Sequence, residues 1–328
     1  TGSMTKILIT GGLGFIGHNL VRHLAKNRDN QIFVVDNFKR EGVERNLVEM
    51  LLLPNVDIYR KDVRNWFDVQ SLPVADVILH YAGNSGIPWS VADPYVDFLD
   101  NASTTILMLE KARKDGSAFI QASTNRVYPV TLDRDLYEDE TRYVSHAYPL
   151  GINEAFPLEG QRSPYGASKL AADFYVQEYF HTYGVRGIVN RMGAIYGEGQ
   201  YGSTEQGWVG YMCRVKQEKK YFTIFGNGKQ VRDPMYIGDL LRLIELEINH
   251  VDLLAGNVFN VGGGLQSVIS VLELAQHLDI DYSFSERRIA DMDWYISDTR
   301  LVQTLTGWKP KVPILDGVSI TMDWLKSK

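Results

Sequence analysis

Lys6-Ile7-Leu8-Ile9-Thr10 runs straight into Gly11-Gly12-Leu13-Gly14-Phe15-Ile16-Gly17, and this stretch decides the architecture. The apolar run reads as a short strand, and residues Phe15 to Lys26 carry a helical period. The glycines between them fit G-x-G-x-x-G from Gly12 and G-x-x-G-x-x-G from Gly11. Without Cβ atoms the turn closes tightly and its amides can approach a pyrophosphate. The positive end of the following helix attracts the same group.

Working outward, Gln31 to Asp36 reads as a second strand that ends in an acid 19 residues past Gly17. An acid there binds both ribose hydroxyls of an adenosine and repels a 2′-phosphate, which favours NAD over NADP. Lys39 and Arg40 follow closely and act in the opposite direction. Val56 to Tyr59, Val77 to Tyr81, Ala118 to Ala122 and Val185 to Arg191 read as further strands. Asn101 to Lys114 and Pro164 to Tyr183 read as helices. Strands alternating with helices predict an α/β fold, a doubly wound parallel sheet of the Rossmann type. The regularity weakens after about Gly193, with glycine clusters at Gly197–Gly202, Gly226–Gly228 and Gly262–Gly264. A smaller, interleaved C-terminal substrate-binding domain is expected there. The expected division is an NAD-binding domain over 4–190, with 234–262 returning to it, and a substrate-binding domain over 191–233 and 263–328.

Composition narrows the function. A chain of 328 residues that is 45% hydrophobic supplies a large core. Its net charge of -6 opposes nucleic-acid binding as a main role. Cys213 is the single cysteine, so no internal disulfide is expected and a reducing compartment fits. No apolar run reaches the roughly 18 residues of a membrane span. Thr1, Gly2 and Ser3 ahead of Met4 read as a remnant of expression, and no secretory pattern follows. The expectation is a cytoplasmic protein with no membrane partner and no metal.

The chemistry lies in Ser163-Pro164-Tyr165-Gly166-Ala167-Ser168-Lys169. Ser163 is a good N-cap and Pro164 a good first helical residue. Tyr165 and Lys169 then share a helix face at i and i+4. A free phenol titrates at about 10, too high for a base at neutral pH. A nearby ammonium lowers that value by stabilising the phenolate. Ser123 and Thr124 end the strand before this helix, where open α/β sheets bind ligands, and either hydroxyl can hold a substrate oxygen beside Tyr165.

Together these segments resemble the extended short-chain dehydrogenases, the NAD-dependent epimerase/dehydratase family. Gly226-x-Gly228-x-Gln230-x-Arg232-Asp233, Phe259-Asn260-Val261-Gly262-Gly263-Gly264 and Thr306-Gly307-Trp308-Lys309-Pro310 carry the resemblance to the end of the chain. It implies catalysis by Thr124, Tyr165 and Lys169. It implies NAD contacts from Gly11, Gly14, Phe15, Ile16, Gly17, Asp36 and Asn37 on one side. On the other side it implies Asp62, Val63, Tyr81, Ala82, Gly83, Asn101, Ser123 and Met192, with Tyr165 and Lys169 also touching the cofactor.

Sugar 4,6-dehydratases carry Asp-Glu after the catalytic hydroxyl. Here the pair is Asn125-Arg126, and neither is an acid at neutral pH. Ser123-Thr124-Asn125-Arg126-Val127-Tyr128 is instead similar to CDP-tyvelose (CDP-paratose) 2-epimerases. So are Glu205-Gln206-Gly207-Trp208-Val209-Gly210 and the segment holding Arg288, Asp291 and Tyr295-Ile296-Ser297-Asp298. Pro129 and Ala194 depart from the usual glycine and asparagine. The implied substrate is a nucleotide-diphosphate-sugar, held by Asn125, Arg126, Trp208, Val209, Phe225, Arg232 and Arg288, and the implied assembly is a homodimer. A UDP-sugar 4-epimerase and a non-catalytic NAD-sensing protein are the alternatives.

Overall fold

A computed structural model describes residues 4–130, 135–204 and 206–328. Thr1, Gly2, Ser3 and Glu205 of the sequence reading lie outside the described residues. Seven strands form the central sheet: β1 (Thr5–Thr10), β2 (Asn30–Asp36), β3 (Val56–Arg60), β4 (Val77–His80), β5 (Ala118–Thr124), β6 (Gly187–Met192) and β7 (Val258–Val261). Their order is β7-β6-β5-β4-β1-β2-β3, and every neighbouring pair is parallel. The doubly wound expectation is therefore met. The order reverses between β1 and β4, and it is outside the carboxyl ends of the strands at such a point that these sheets bind ligands.

Burial on both faces explains the continuous apolar strands. Ile7 and Ile9 of β1 pack on one side with Leu20 of α1 (Phe15–Leu24) and Leu240 and Ile244 of the helix Ile237–Asn249. Leu8 faces the other way, into a cluster with Met108, Phe119 and Val176. The 234–262 segment supplies that last helix and the edge strand β7. A separate apolar cluster joins Val209, Met212, Ile224, Leu274 and Val318. Small pairings surround it, such as Phe222–Phe225 with Tyr282–Ser285 and Val231–Arg232 with Ile269–Ser270.

Several element boundaries differ from the sequence reading. The first helix stops at Leu24, β4 stops at His80, and β6 runs from Gly187 to Met192. The expected helix from Asn101 is a wide π-turn over Leu99–Ser103, and the α-helix α2 begins at Thr104 and ends at Asp115. The long helix α3 (Pro164–Tyr183) follows its sequence signals closely. The Ser163 hydroxyl accepts from the Gly166 amide at 3.1 Å, and Gly184 ends the helix at φ 71°. Loss of such a cap costs about 1 kcal/mol. Among the described residues no helix is long and apolar enough to cross a membrane.

Among the acids buried inside this fold, Glu247 is the least compensated. Glu247 accepts from the Asn190 side-chain amide at 2.7 Å, while its Oε2, Asn190 Oδ1 and the Tyr81 hydroxyl lack protein partners. Burial pushes the Glu247 carboxyl up from 4.5 to about 8. The folded chain thus keeps a proton that the unfolded chain has lost, and stability present below 4.5 declines as pH rises toward 8. Glu247→Gln removes this penalty. Its melting temperature should gain on the native chain progressively between about pH 5 and 8. Parallel melting curves across that range would refute the assignment.

Candidate active site

The glycine loop is built by contact. Gly11 adopts φ 66°, and a Cβ there would stand 2.8 Å from the Ala82 amide nitrogen and the Tyr81 carbonyl oxygen. A Cβ on Gly17 would collide with the Gly11 carbonyl oxygen. No side chain caps α1, so the first-turn amides of Phe15, Ile16 and Gly17 face the loop with Gly14 at the cap. Asp36 closes the other wall. Its carboxylate accepts from the Leu13 amide at 3.1 Å and the Phe38 amide at 2.9 Å. A carboxylate has roughly four acceptor positions, so capacity for ribose hydroxyls is left.

The nearby cations are engaged elsewhere. Lys39 pairs with Asp62 at 3.7 Å, and Arg40 donates to the Gly83 carbonyl at 3.3 Å. Arg64 binds Asp62 at 2.8 Å and holds its carboxyl below the usual range. Asn37 accepts from the Lys39 amide, and Val63 is buried beside Asp62. These residues suit an adenosine ribose without a 2′-phosphate. Farther along the edge, Ala82 donates its amide to Thr10, while the Tyr81 ring turns into the core. Asn101 Oδ1 accepts from the Asn84 amide at 2.9 Å, so close to Gly83 that a Cβ there would lie 2.7 Å away.

Tyr165 and Lys169 of α3 both face the end of β5. The Thr124 hydroxyl stands beside the Tyr165 phenol, and Lys169 Nζ donates to the Ala122 carbonyl at 2.5 Å. Met192 ends β6 in register with Thr124. Burial pushes the Tyr165 phenol up to about 12, opposed by Thr124 and by the charge of Arg126. Burial also brings Lys169 down to about 8, opposed by Asp173 and Asp97. Ser123 is committed differently: its hydroxyl donates to Asp173 at 2.7 Å. Asp173 is paired with Arg191 at 2.9 Å in a buried network that reaches Tyr128 and Asn260.

Beyond Thr124 a short 3-10 turn presents Asn125, which is buried, and Arg126, which is partly open. Arg126 and Arg232 share the Asp291 carboxylate at 3.6 and 3.3 Å. The Arg288 guanidinium stacks 3.9 Å above the Phe225 ring and donates to the Thr204 carbonyl. Trp208 is partly buried at the start of its helix, whereas Val209 is buried in the apolar cluster with Met212 and Ile224, so the expected substrate contact from its side chain is not seen. Among the described residues no group of acids, histidines and cysteines could hold a metal ion. Sequence reasoning overlooked Asp97, whose carboxylate bonds Ser168 and Asn101. Its spacing of four from Asn101 was a visible signal, but the π-turn between them was not.

Residues 7–262 match the model of the NAD dependent epimerase/dehydratase family. The chain belongs to this family. It is 36% identical to the CDP-paratose 2-epimerase of Salmonella typhi over 98% of this chain and 99% of that protein. Among solved structures it resembles the dTDP-glucose 4,6-dehydratase DesIV of Streptomyces venezuelae, with NAD bound. The TM-score is 0.83 at 25% identity, covering 99% of this chain and 98% of that one. It also resembles the UDP-glucose 4-epimerase of Thermotoga maritima, with UDP-glucose. There the TM-score is 0.81 at 27% identity, covering 98% and 99%. As a family member the chain is an NAD-dependent enzyme, and the glycine loop with Asp36 fits that cofactor.

Calorimetry on protein stripped of cofactor should show NAD binding more tightly than NADP, with Asp36→Ala narrowing the gap. Equal or tighter NADP binding by the native chain would sink the Asp36 argument and turn attention to Lys39 and Arg40.

Proposed function

We propose that this enzyme inverts one carbon of a nucleotide-diphosphate-sugar without net redox change, at C2 of a CDP-sugar. The observation that carries the reading is the turn after Thr124. It carries Asn125 and Arg126 where a dehydratase would carry two acids, so this turn offers no carboxyl acid to expel water. The 36% identity to a CDP-paratose 2-epimerase across nearly the whole chain supports the substrate.

NAD, when bound, would supply a hydride acceptor that is regenerated in every cycle. Tyr165 removes the hydroxyl proton, Thr124 holds that oxygen, and Lys169 stabilises the phenolate. Gly11, Gly14, Gly17, Asp36 and Asn101 hold the cofactor. Arg232 and Arg288 hold the diphosphate, where forked guanidiniums match phosphate oxygens. Phe225, Trp208, the Val209 backbone, Asn125 and Arg126 complete the sugar and base pocket. The keto sugar then presents its other face before the hydride returns. In this reading residues 191–233 and 263–328 bind substrate, and 4–190 with 234–262 bind NAD.

A UDP-sugar 4-epimerase is the second reading, supported by the likeness to the Thermotoga maritima enzyme. A purely NAD-sensing role is disfavoured by the joint presence of Thr124, Tyr165 and Lys169. A homodimer is supported by aromatic exposure on one surface. Phe174 and Tyr175 of α3 stand half-exposed there, with Tyr95 and Phe98 on the adjoining helix segments, and a groove is lined by Ala167, Leu170 and Ala171. The one cysteine, buried and unpaired, fits a cytoplasmic location.

CDP-paratose deuterated at C2 should give product inverted at C2 with the label retained there. Tyr165→Phe should lower turnover by about two orders of magnitude or more with little change in melting temperature. NADH accumulating in step with substrate loss would overturn the epimerase reading, and inversion at C4 would replace the carbon assigned. Light scattering should give a dimer for the native chain and a monomer for Phe174→Glu. A native monomer would remove the dimer.

A further inference from the structure

The segment between β4 and α2 meets the catalytic helix through side chains that no catalytic role yet uses. Ser90 accepts from the Tyr165 amide at 3.0 Å, a donor that the first turn of α3 leaves unpaired. Asp97 is the second tie. It lies buried, its Oδ2 accepting from the Ser168 hydroxyl at 2.6 Å and its Oδ1 from the Asn101 side-chain amide at 3.1 Å. Asn101 Nδ2 also reaches the Ser168 hydroxyl at 3.2 Å. Ser168 is the residue next to Lys169, and Asn101 occupies the π-turn beside Gly83. One carboxylate therefore joins the helix carrying Tyr165 and Lys169 to the turn that borders the cofactor loop.

We propose that Asp97 is a positioning residue of this active site, clamping α3 to the Asn101 turn and fixing a negative charge beside Tyr165 and Lys169. This rests on the reading of Tyr165 as the proton acceptor. Every charged group facing the pair is accounted for. Asp173 on α3 is bound to Arg191 of β6, and Arg126 faces Tyr165 from the turn after β5. His80 of β4 is buried and neutral, and Asp100 near Asp97 is paired with Arg64. Asp97 raises the pKa of both Tyr165 and Lys169. Without it both fall together, whereas a loss of packing alone has no reason to move them in the same direction.

Asp97→Asn tests this with little change of shape. The new amide can donate to Ser168, whose own hydrogen turns to the Tyr165 carbonyl at 3.0 Å, while its oxygen still accepts from Asn101. The NAD-bound enzyme is labelled at tyrosine Cζ, and NMR follows ionisation, with Tyr165→Phe assigning the signal. The Tyr165 midpoint should fall by about one unit in Asp97→Asn. Ser168→Ala keeps the charge but cuts the clamp, so it should leave the midpoint in place while lowering kcat; an unchanged kcat would overturn the clamp even if Asp97→Asn fails to fold. An unmoved midpoint in Asp97→Asn, or an equal fall in Ser168→Ala, would overturn the role of Asp97 alone. If Tyr165→Phe retained full epimerase activity, the catalytic reading would fall first and this inference with it.

Discussion

The carboxyl edge of the sheet hangs on one hydroxyl, that of Thr10. It is wholly buried, accepts from the Tyr81 and Ala82 amides at 3.1 Å each, and meets His80 Nδ1 at 2.7 Å. Two accepted bonds leave its single hydrogen for the imidazole nitrogen. Burial holds His80 down near 3, so the ring is neutral and its Nδ1 is free to accept. This locks the ends of β1 and β4 together where the strand order reverses. Gly11 can then press against Ala82 without a Cβ in the way. The phosphate loop, Asp36 and the Gly83 turn all take their places from that junction.

Such an edge lets buried charge be used without being left uncompensated. Asp173 and Arg191 are both almost fully buried, yet the pair is forked at 2.9 and 3.2 Å, and the Ser123 and Tyr128 hydroxyls bond to it. Removing either partner would strand a charge, at a cost of roughly 3–5 kcal/mol. Lys169, one turn before Asp173, therefore sits near a carboxylate whose charge is already matched. It keeps a tendency to lose its proton near neutrality, which an ammonium in water does not have.

Local signals made much of this legible. The glycines of the phosphate loop, the Ser163-Pro164 helix start and the Tyr165–Lys169 spacing each act within one or two turns, so the sequence displays them. The sheet followed from alternating strands and helices. What stayed hidden is held by pairs far apart in the chain: Asp97 with Ser168, Arg126 with Asp291, Ser123 with Asp173. Ser123 and Thr124 look equivalent as letters. Only the structure shows that Ser123 is taken up by Asp173, while Thr124, at the very end of the strand, stands beside Tyr165 two turns earlier on the same helix. The π-turn escaped for a related reason, since Asn101 fits an α-helical period as well as a wide turn.

Thr124 also explains how one scaffold can host several reactions. Its hydroxyl accepts from the Arg126 amide at 3.1 Å and so starts the 3-10 turn, and it also stands beside the Tyr165 phenol. The group beside the phenol therefore also sets the course of the next two residues. In the proposed reading, exchanging those two residues alters which acid or cation meets the substrate, while Tyr165 and Lys169 stay on their own helix. In this chain the turn delivers an amide and a guanidinium. Arg126 brings a positive charge close enough to Tyr165 to favour the phenolate, and Asp291 keeps that charge from standing alone. In the proposed reading the specificity of the site is thus set on a three-residue turn, and its proton chemistry on a helix capped independently by Ser163.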